Sequence, residues 1–127
     1  MKHKENILRL RAEGKSYREI QAILGCSKGT IAFHVGEGQK EKYYRRTQDY
    51  RARNVDTIRK IKEDSGCIDC GEKYPHFVLE FDHLPEYKKV GSPSHVARHS
   101  SWKNAVLEME KCDIVCANCH KIRTWNR

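Results

Sequence analysis

Two pairs of cysteines in the carboxy-terminal half of the chain have the spacing of a metal site. Cys67 and Cys70 form one Cys-x-x-Cys turn, and Cys116 and Cys119 form the other, with 45 residues between the pairs. Each turn brings two thiolates close enough to bind one zinc ion, which takes four ligands in a tetrahedron. A redox-active dithiol is the alternative, although a single pair would suffice for it. We therefore predict a structural Zn²⁺ site at these four cysteines and assign Cys112 to packing.

The segment between the two pairs carries further side chains that could do chemistry. Residues 77–81 are mostly apolar and rich in β-branched or aromatic side chains, which predicts a strand. The strand runs into Asp82 and His83, and the second cysteine pair runs directly into His120 at the start of a predicted helix. A lone Asp-His pair is more often structural than catalytic. The pattern is more specific here, because the two cysteine turns would hold the strand end against the helix start.

In this order the motifs resemble those of the HNH endonuclease family. They are Cys-x-x-Cys, then Leu-Glu-Phe-Asp-His-x-Pro over residues 79–85, then Cys-Ala-Asn-Cys-His over residues 116–120. The resemblance implies an α+β chain whose carboxy-terminal module has the ββα-metal fold. It also implies that His83 is the general base and that Asp82 and His120 bind a catalytic Mg²⁺ or Mn²⁺ ion. A neutral imidazole can accept a proton from water near pH 7, while the ion polarises the scissile phosphate.

Two positions depart from the family pattern. Many members have an Asn about five residues before the second cysteine pair, where this chain has Lys111; Asn118 is our substitute for its catalytic role, with Asn104 less favoured. Some members have a third metal ligand four residues after the helical His, where this chain has Thr124. With only two protein ligands, the catalytic ion would bind weakly. Two further histidines, in a predicted loop over residues 91–101, are expected to be exposed: His95 and His99.

Three short helices are predicted before these motifs. Ser16 and Glu19 have the spacing of a capping box, Gly25 supplies a turn, and Ser27 is the expected N-cap of a helix over residues 28–35. Residues 14–31 resemble the helix-turn-helix of resolvases, invertases and phage regulators. The resemblance implies that the third helix enters the major groove of DNA; a three-helix scaffold that binds nothing is the alternative. The side chains that would face DNA are Ser27, Lys28, Thr30 and His34.

Residues 39–62 predict a basic helix, because they contain no Gly or Pro and are rich in good helix formers. Such a helix could lie along the phosphate backbone and contribute affinity rather than sequence choice. A solvated linker helix is the alternative explanation of a charge run. The basic side chains that we assign to DNA are Lys42, Arg45, Arg46, Arg51 and Arg53.

The net charge of +8 is distributed unevenly over the 127 residues. Residues 1–38 hold seven basic and four acidic side chains, net +3; residues 39–62 hold nine and three, net +6; residues 63–127 hold nine and ten, net −1. A localised basic stripe is typical of proteins that bind nucleic acid. We therefore predict a helix-turn-helix module over residues 1–38, a basic linker helix over 39–64 and a nuclease module over 65–127, with double-stranded DNA as the partner.

The sequence has no feature that predicts a membrane partner. No apolar run approaches the roughly 18–20 residues needed to cross a bilayer, and the first residues lack the apolar stretch of a signal peptide. We therefore expect a chain that works in the cytoplasm, where reduced thiols favour metal over disulfides. The resemblance to compact nucleases of phages and mobile introns implies a phage-encoded protein in a bacterial host.

These observations predict a metal-dependent endonuclease of the HNH type that nicks or cuts duplex DNA. The alternative is a non-catalytic DNA-binding regulator with a helix-turn-helix and a zinc ribbon. An RNA-binding zinc protein ranks lower, because it would leave the helix-turn-helix without a purpose. The oligomeric state does not follow from the sequence.

Overall fold

The computed structural model describes residues 3–127 and shows an α+β chain that is mostly helical. Among these residues, no helix combines the length and the apolar character needed to span a membrane. Two compact units divide the chain, one up to Gln48 and one from Asp49 onward. In chain order the elements are α1 (Lys4–Ala12), α2 (Tyr17–Leu24), α3 (Lys28–Val35), α4 (Gln39–Ser65), β1 (Leu79–His83), α5 (Pro93–His99), α6 (Trp102–Met109), β2 (Cys112–Cys116) and α7 (Ala117–Trp125).

The first unit contains the three short helices that the sequence predicts. The Ser16 side chain accepts a hydrogen bond from the Glu19 backbone, and the Glu19 carboxylate accepts one from the Ser16 backbone, so the predicted capping box is confirmed. Gly25 ends α2 with φ +66°, a left-handed conformation that favours glycine. Ser27 caps α3 as predicted. The helices enclose a small core of Ile7, Leu10, Ile20 and Ile31.

Helix α4 is continuous over 27 residues, which confirms the helix predicted over residues 39–62. Its sequence is polar over most of its length, and its buried residues are Asn54 and Ile58. Ile58 packs against Val96, Ala97 and Ala105, which come from α5 and α6. A helix with so few apolar residues depends on such local packing and on good helix formers for its stability.

Strands β1 and β2 pair antiparallel and form a two-stranded sheet. The register places Leu79 opposite Cys116 and Asp82 opposite Asp113. The sequence predicted the strand two residues too early, over 77–81, because residues 76–78 form a 3₁₀ turn in which the Val78 amide bonds the Pro75 carbonyl. β-Propensity alone does not distinguish such a turn from the first residues of a strand.

Helices α5 and α6 fill the connection between the two strands. The loop predicted over residues 91–101 is wrong: it contains α5, which begins at a Ser92 cap with Pro93 in its first turn. The Ser101 side chain then caps α6 through the Asn104 amide. A serine cap followed by a proline, as at Ser92 and Pro93, is a helix-start signal. The helix has only seven residues, which is too short to show a clear apolar period.

Candidate functional site

The four predicted zinc ligands come together in the second unit. Cys67 and Cys70 lie in the turns that follow α4, while Cys116 ends β2 and caps α7, whose first turn carries Cys119. The four Sγ atoms lie within 4.8 Å of one another. Thiolates bound to zinc at about 2.3 Å would be roughly 3.8 Å apart in a tetrahedron, so this arrangement fits a structural metal such as zinc.

The backbone around the cysteines favours a charged thiolate. Burial alone would raise the pKa of Cys67, but backbone amides of Cys70, Cys116 and Asp69 donate to its sulfur and lower the pKa to about 6. The Cys119 amide also donates to the Cys116 sulfur, at 3.4 Å. Such amide donors are characteristic of metal-binding Cys-x-x-Cys turns, because they disperse thiolate charge. Within residues 3–127, these cysteines form the only converging group of three or more His, Cys, Asp or Glu ligands.

Asp82 and His120 lie together where β1 meets α7. The His120 Nε2 atom is 3.4 Å from an Asp82 carboxylate oxygen. The other ring nitrogen, Nδ1, is 2.6 Å from a carboxylate oxygen of Glu80. Glu80 and Asp82 are two residues apart in β1, so their side chains lie on the same face of the sheet. This is the face that α7 covers. The sequence-predicted ligands are thus neighbours, and Glu80 fixes the ring orientation of His120.

Two arginines already neutralise the Asp82 carboxylate, which is 2% exposed. Arg127 donates to both carboxylate oxygens, at 2.8 and 2.9 Å, and Arg123 donates to one of them at 2.9 Å. Burial alone would raise the pKa of Asp82, but these hydrogen bonds outweigh it and lower the pKa. Asp82 and His120 have the donor types of a divalent-ion site. An ion at this position would have to displace guanidinium groups, so the pair does not form an open site.

Arg123 connects three carboxylates of the sheet and its surroundings. It donates to both oxygens of Asp69, at 2.6 Å each, and to Asp113 at 3.0 Å, in addition to Asp82. The hydrogen bonds to Asp69 and Asp82 raise the pKa of Arg123, which stays charged at any ordinary pH. A planar guanidinium can make these forked contacts, whereas a lysine ammonium cannot.

His83 faces away from Asp82, toward α6. Its Nε2 atom is 3.0 Å from a carboxylate oxygen of Glu108, and the two side chains are only 11% and 5% exposed. Lys111 donates to the other Glu108 oxygen at 2.5 Å. The Lys111 hydrogen bond, reinforced by His83 and opposed by burial, lowers the pKa of Glu108 to about 2. Glu108 therefore carries a negative charge and orients the His83 ring.

The remaining predicted residues of this half are dispersed. Asn118 is exposed in the first turn of α7, and Glu108 rather than Asn118 bonds His83. Cys112 is partly buried and its thiol donates to the Glu108 carbonyl, which agrees with a packing role; burial raises its pKa to about 11. His95 and His99 are exposed as predicted, although they lie on α5 rather than in a loop.

The predicted DNA-facing residues of α3 are placed unequally. Lys28 is exposed, while Ser27 and Thr30 bond each other through their hydroxyls at 2.9 Å. His34 is partly buried, and burial, aided by nearby Lys40, lowers its pKa. The basic side chains predicted on α4 are all exposed: Lys42, Arg45, Arg46, Arg51 and Arg53.

Four residues that orient or neutralise the predicted site residues were missed from the sequence: Glu80, Glu108, Arg123 and Arg127. One signal was available for Glu108, because it is spaced three residues from the buried Ala105 and so lies on the apolar face of α6. Arg123 follows His120 by three residues and shares its helix face, but nothing in the sequence indicates three carboxylate partners.

No match to the chain was found among protein-family models, curated proteins or solved structures. The resemblance to HNH endonucleases thus rests on the quoted motifs.

Proposed function

We propose that this chain is a metal-dependent endonuclease of the HNH type that hydrolyses phosphodiester bonds in duplex DNA. The observation that carries the proposal is the 3.4 Å approach of Asp82 and His120 at the junction of β1 and α7, where a bound ion would replace guanidinium contacts of Arg123 and Arg127. Two antiparallel strands and one helix surround this pair, and the four cysteines brace the same elements. Carboxylate oxygen suits Mg²⁺ and Mn²⁺, and imidazole nitrogen suits borderline ions, so the pair offers donors for a divalent ion.

His83 is the general base of this proposal, although its ring lies toward Glu108 of α6 and not beside the pair of Asp82 and His120. The Glu108 carboxylate accepts the Nε2 proton of His83, which leaves the Nδ1 lone pair to take a proton from the attacking water. Glu108 also stabilises the imidazolium that forms, because it stays ionised above about pH 2. Catalytic bases are typically oriented by a third group in this way. The divalent ion, when bound by Asp82 and His120, would supply polarisation of the scissile phosphate.

The first unit and α4 hold the DNA in this proposal. The exposed Lys28 of α3 and the exposed cations of α4 are positioned to meet phosphates from solvent. Affinity from such contacts falls steeply as salt rises, because bound counterions are released on binding. The amino-terminal half therefore contributes most of the salt-dependent affinity, in line with its net charge.

Relaxation of a supercoiled plasmid tests the proposal. The native chain is expected to nick the plasmid in Mg²⁺ or Mn²⁺ and to stop when EDTA is added. His83→Ala and His120→Ala should each abolish nicking while retaining DNA binding in a gel shift. His99→Ala, which changes an exposed histidine on α5, is the matched control and should nick like the native chain. Nicking at the native rate by His83→Ala would contradict the assignment of the base.

A DNA-binding regulator is the second candidate, and one observation favours it. Both oxygens of Asp82 accept hydrogen bonds from Arg127, and Arg123 adds a third, so the carboxylate already has cationic partners. A regulator would use this ion-pair cluster and the four cysteines only to build a stable module. Gel-shift binding without nicking across several divalent ions would support the regulator and reject the endonuclease.

A further inference from the structure

An open aromatic cleft lies beside α3 in the first unit. Its volume is about 650 Å³, within the range of ligand sites in proteins. Its lining includes the rings of Phe33, Tyr43 and Tyr44 and the polar side chains of Ser27, Thr30 and His34. We call this feature the aromatic cleft.

The aromatic rings of the cleft meet edge to face. Phe33 meets Tyr43 at 5.2 Å and 85° and meets Tyr44 at 6.1 Å and 68°, which are edge-to-face contacts. Each edge-to-face contact covers a face of one ring and an edge of the other, so the pair still has ring faces that are not in contact with each other. Tyr43 and Tyr44 are 55% and 54% exposed, so both rings present surface that a ligand can reach.

The cleft also offers hydrogen bonding and positive charge. The Nδ1 atom of His34 is buried and has no hydrogen-bond partner among the described residues. Buried ring nitrogens are normally paired, and a rotation of the His34 ring would be needed to bring this one to a polar edge of a ligand. The Lys40 ammonium lies 5.8 Å from the centre of the Phe33 ring. Lys42 and Arg46 line a smaller recess that also touches Phe33 and Tyr43.

We propose that the aromatic cleft binds an unpaired nucleobase of DNA. Open aromatic faces next to cations are the features with which proteins hold single-stranded nucleic acid. A paired duplex offers only base edges in its grooves, whereas an unpaired base offers the flat face that a tyrosine ring stacks on. The proposal rests on the DNA partner of the proposed function and adds a preference for sites that contain an unpaired base.

Fluorescence anisotropy with the full chain tests this preference. The probes are a short oligo-dT strand, a paired duplex, and the same duplex with one bulged thymine. The native chain should bind the bulged duplex more tightly than the paired one. Base stacking on an aromatic side chain is worth about 1–3 kcal/mol per base. Tyr43→Ala or Tyr44→Ala should therefore weaken binding of the strand and the bulged duplex by roughly 5- to 150-fold.

The controls separate stacking from general effects. Tyr43→Phe keeps the ring and should bind like the native chain. Phe77→Ala removes an aromatic residue that is even more exposed to solvent but lies in the second unit, and should change nothing. Both tyrosines are more than half exposed, so their replacement by alanine is expected to leave the circular dichroism of the chain unchanged.

Each result has a distinct meaning. Tight binding of the paired duplex with no gain from the bulge would overturn the aromatic cleft as a base site and leave the proposed function intact. Equal weakening of all three probes by Tyr43→Ala would also overturn it, because the ring would then act in general docking. Failure of the native chain to bind any of the probes would overturn the proposed DNA partner together with the cleft.

Discussion

Replacement of Glu108 by glutamine would remove the charge that holds His83 and Lys111 on either side of it. The carboxylate accepts from both side chains, at 3.0 and 2.5 Å, in a position that is 5% exposed. An amide has one acceptor oxygen, so only one contact keeps an acceptor, and both lose the carboxylate charge. Hydrogen bonds to charged groups contribute about 1.5–3 kcal/mol each. Lys111 keeps its bond to the Lys88 carbonyl, and we therefore expect a loss of about 2–4 kcal/mol in the free energy of unfolding.

The same substitution should change the response to acid. The pKa of Glu108 is about 2 in the folded chain, below its ordinary value of 4.5. The carboxylate therefore stabilises the fold fully above about pH 4.5, and this contribution disappears as the pH falls from 4.5 toward 2. Glu108→Gln has no such group and should lose this part of the acid sensitivity.

Thermal unfolding followed by circular dichroism measures both effects. At pH near 7, Glu108→Gln should melt at least about 8 °C below the native chain, since 1 kcal/mol shifts the melting temperature of a small unit by about 4–8 °C. The difference should shrink when the scan is repeated near pH 3. Glu110→Gln changes an exposed carboxylate two residues away and is the control. A melting temperature equal to that of the native chain at both pH values would refute the role of Glu108.

Three further predictions concern the metal site, the first core and the arginine cluster. Cys116→Ser removes one of the four thiolates of the cysteine cluster. Metal analysis should then show the zinc content fall from about one per chain to near zero, and the second unit should lose its cooperative melting transition. Ile31→Ala creates a cavity in the core of the first unit, and chemical denaturation should show a loss of about 2–5 kcal/mol, whereas Ile23→Ala on its exposed surface should cost far less. Arg127→Ala removes two hydrogen bonds from Asp82 and opens its carboxylate to an ion. Mn²⁺ should therefore raise the melting temperature of this variant more than that of the native chain. An equal rise in both would contradict the competition between arginine and ion.

Much of the local structure could be predicted, because it depends on residues close in sequence. The capping box at Ser16, the cap at Ser27 and the absence of Gly and Pro in α4 are local signals, and the helices follow them. The cysteine cluster was also predictable, since two Cys-x-x-Cys turns have few other uses in one reduced chain.

The contacts of the candidate site could not be predicted, because they join distant parts of the chain. Glu108 and His83 are 25 residues apart, and Arg127 and Asp82 are 45 apart. A carboxylate or guanidinium in a helix is most often solvated, and only tertiary packing determines which ones are buried. The sequence placed the start of β1 two residues too early, which leaves each side chain on its face, but it carried no signal for the register that pairs β1 with β2.

The register of the sheet also bears on how the second unit folds. Asp82 and Asp113 lie directly opposite each other on the two strands, and cross-strand partners share a face, so their like charges oppose pairing of the strands alone. Arg123, from α7, donates to both and removes the repulsion. The strand pair is therefore a poor folding intermediate by itself, and its formation should coincide with docking of α7 in one cooperative step.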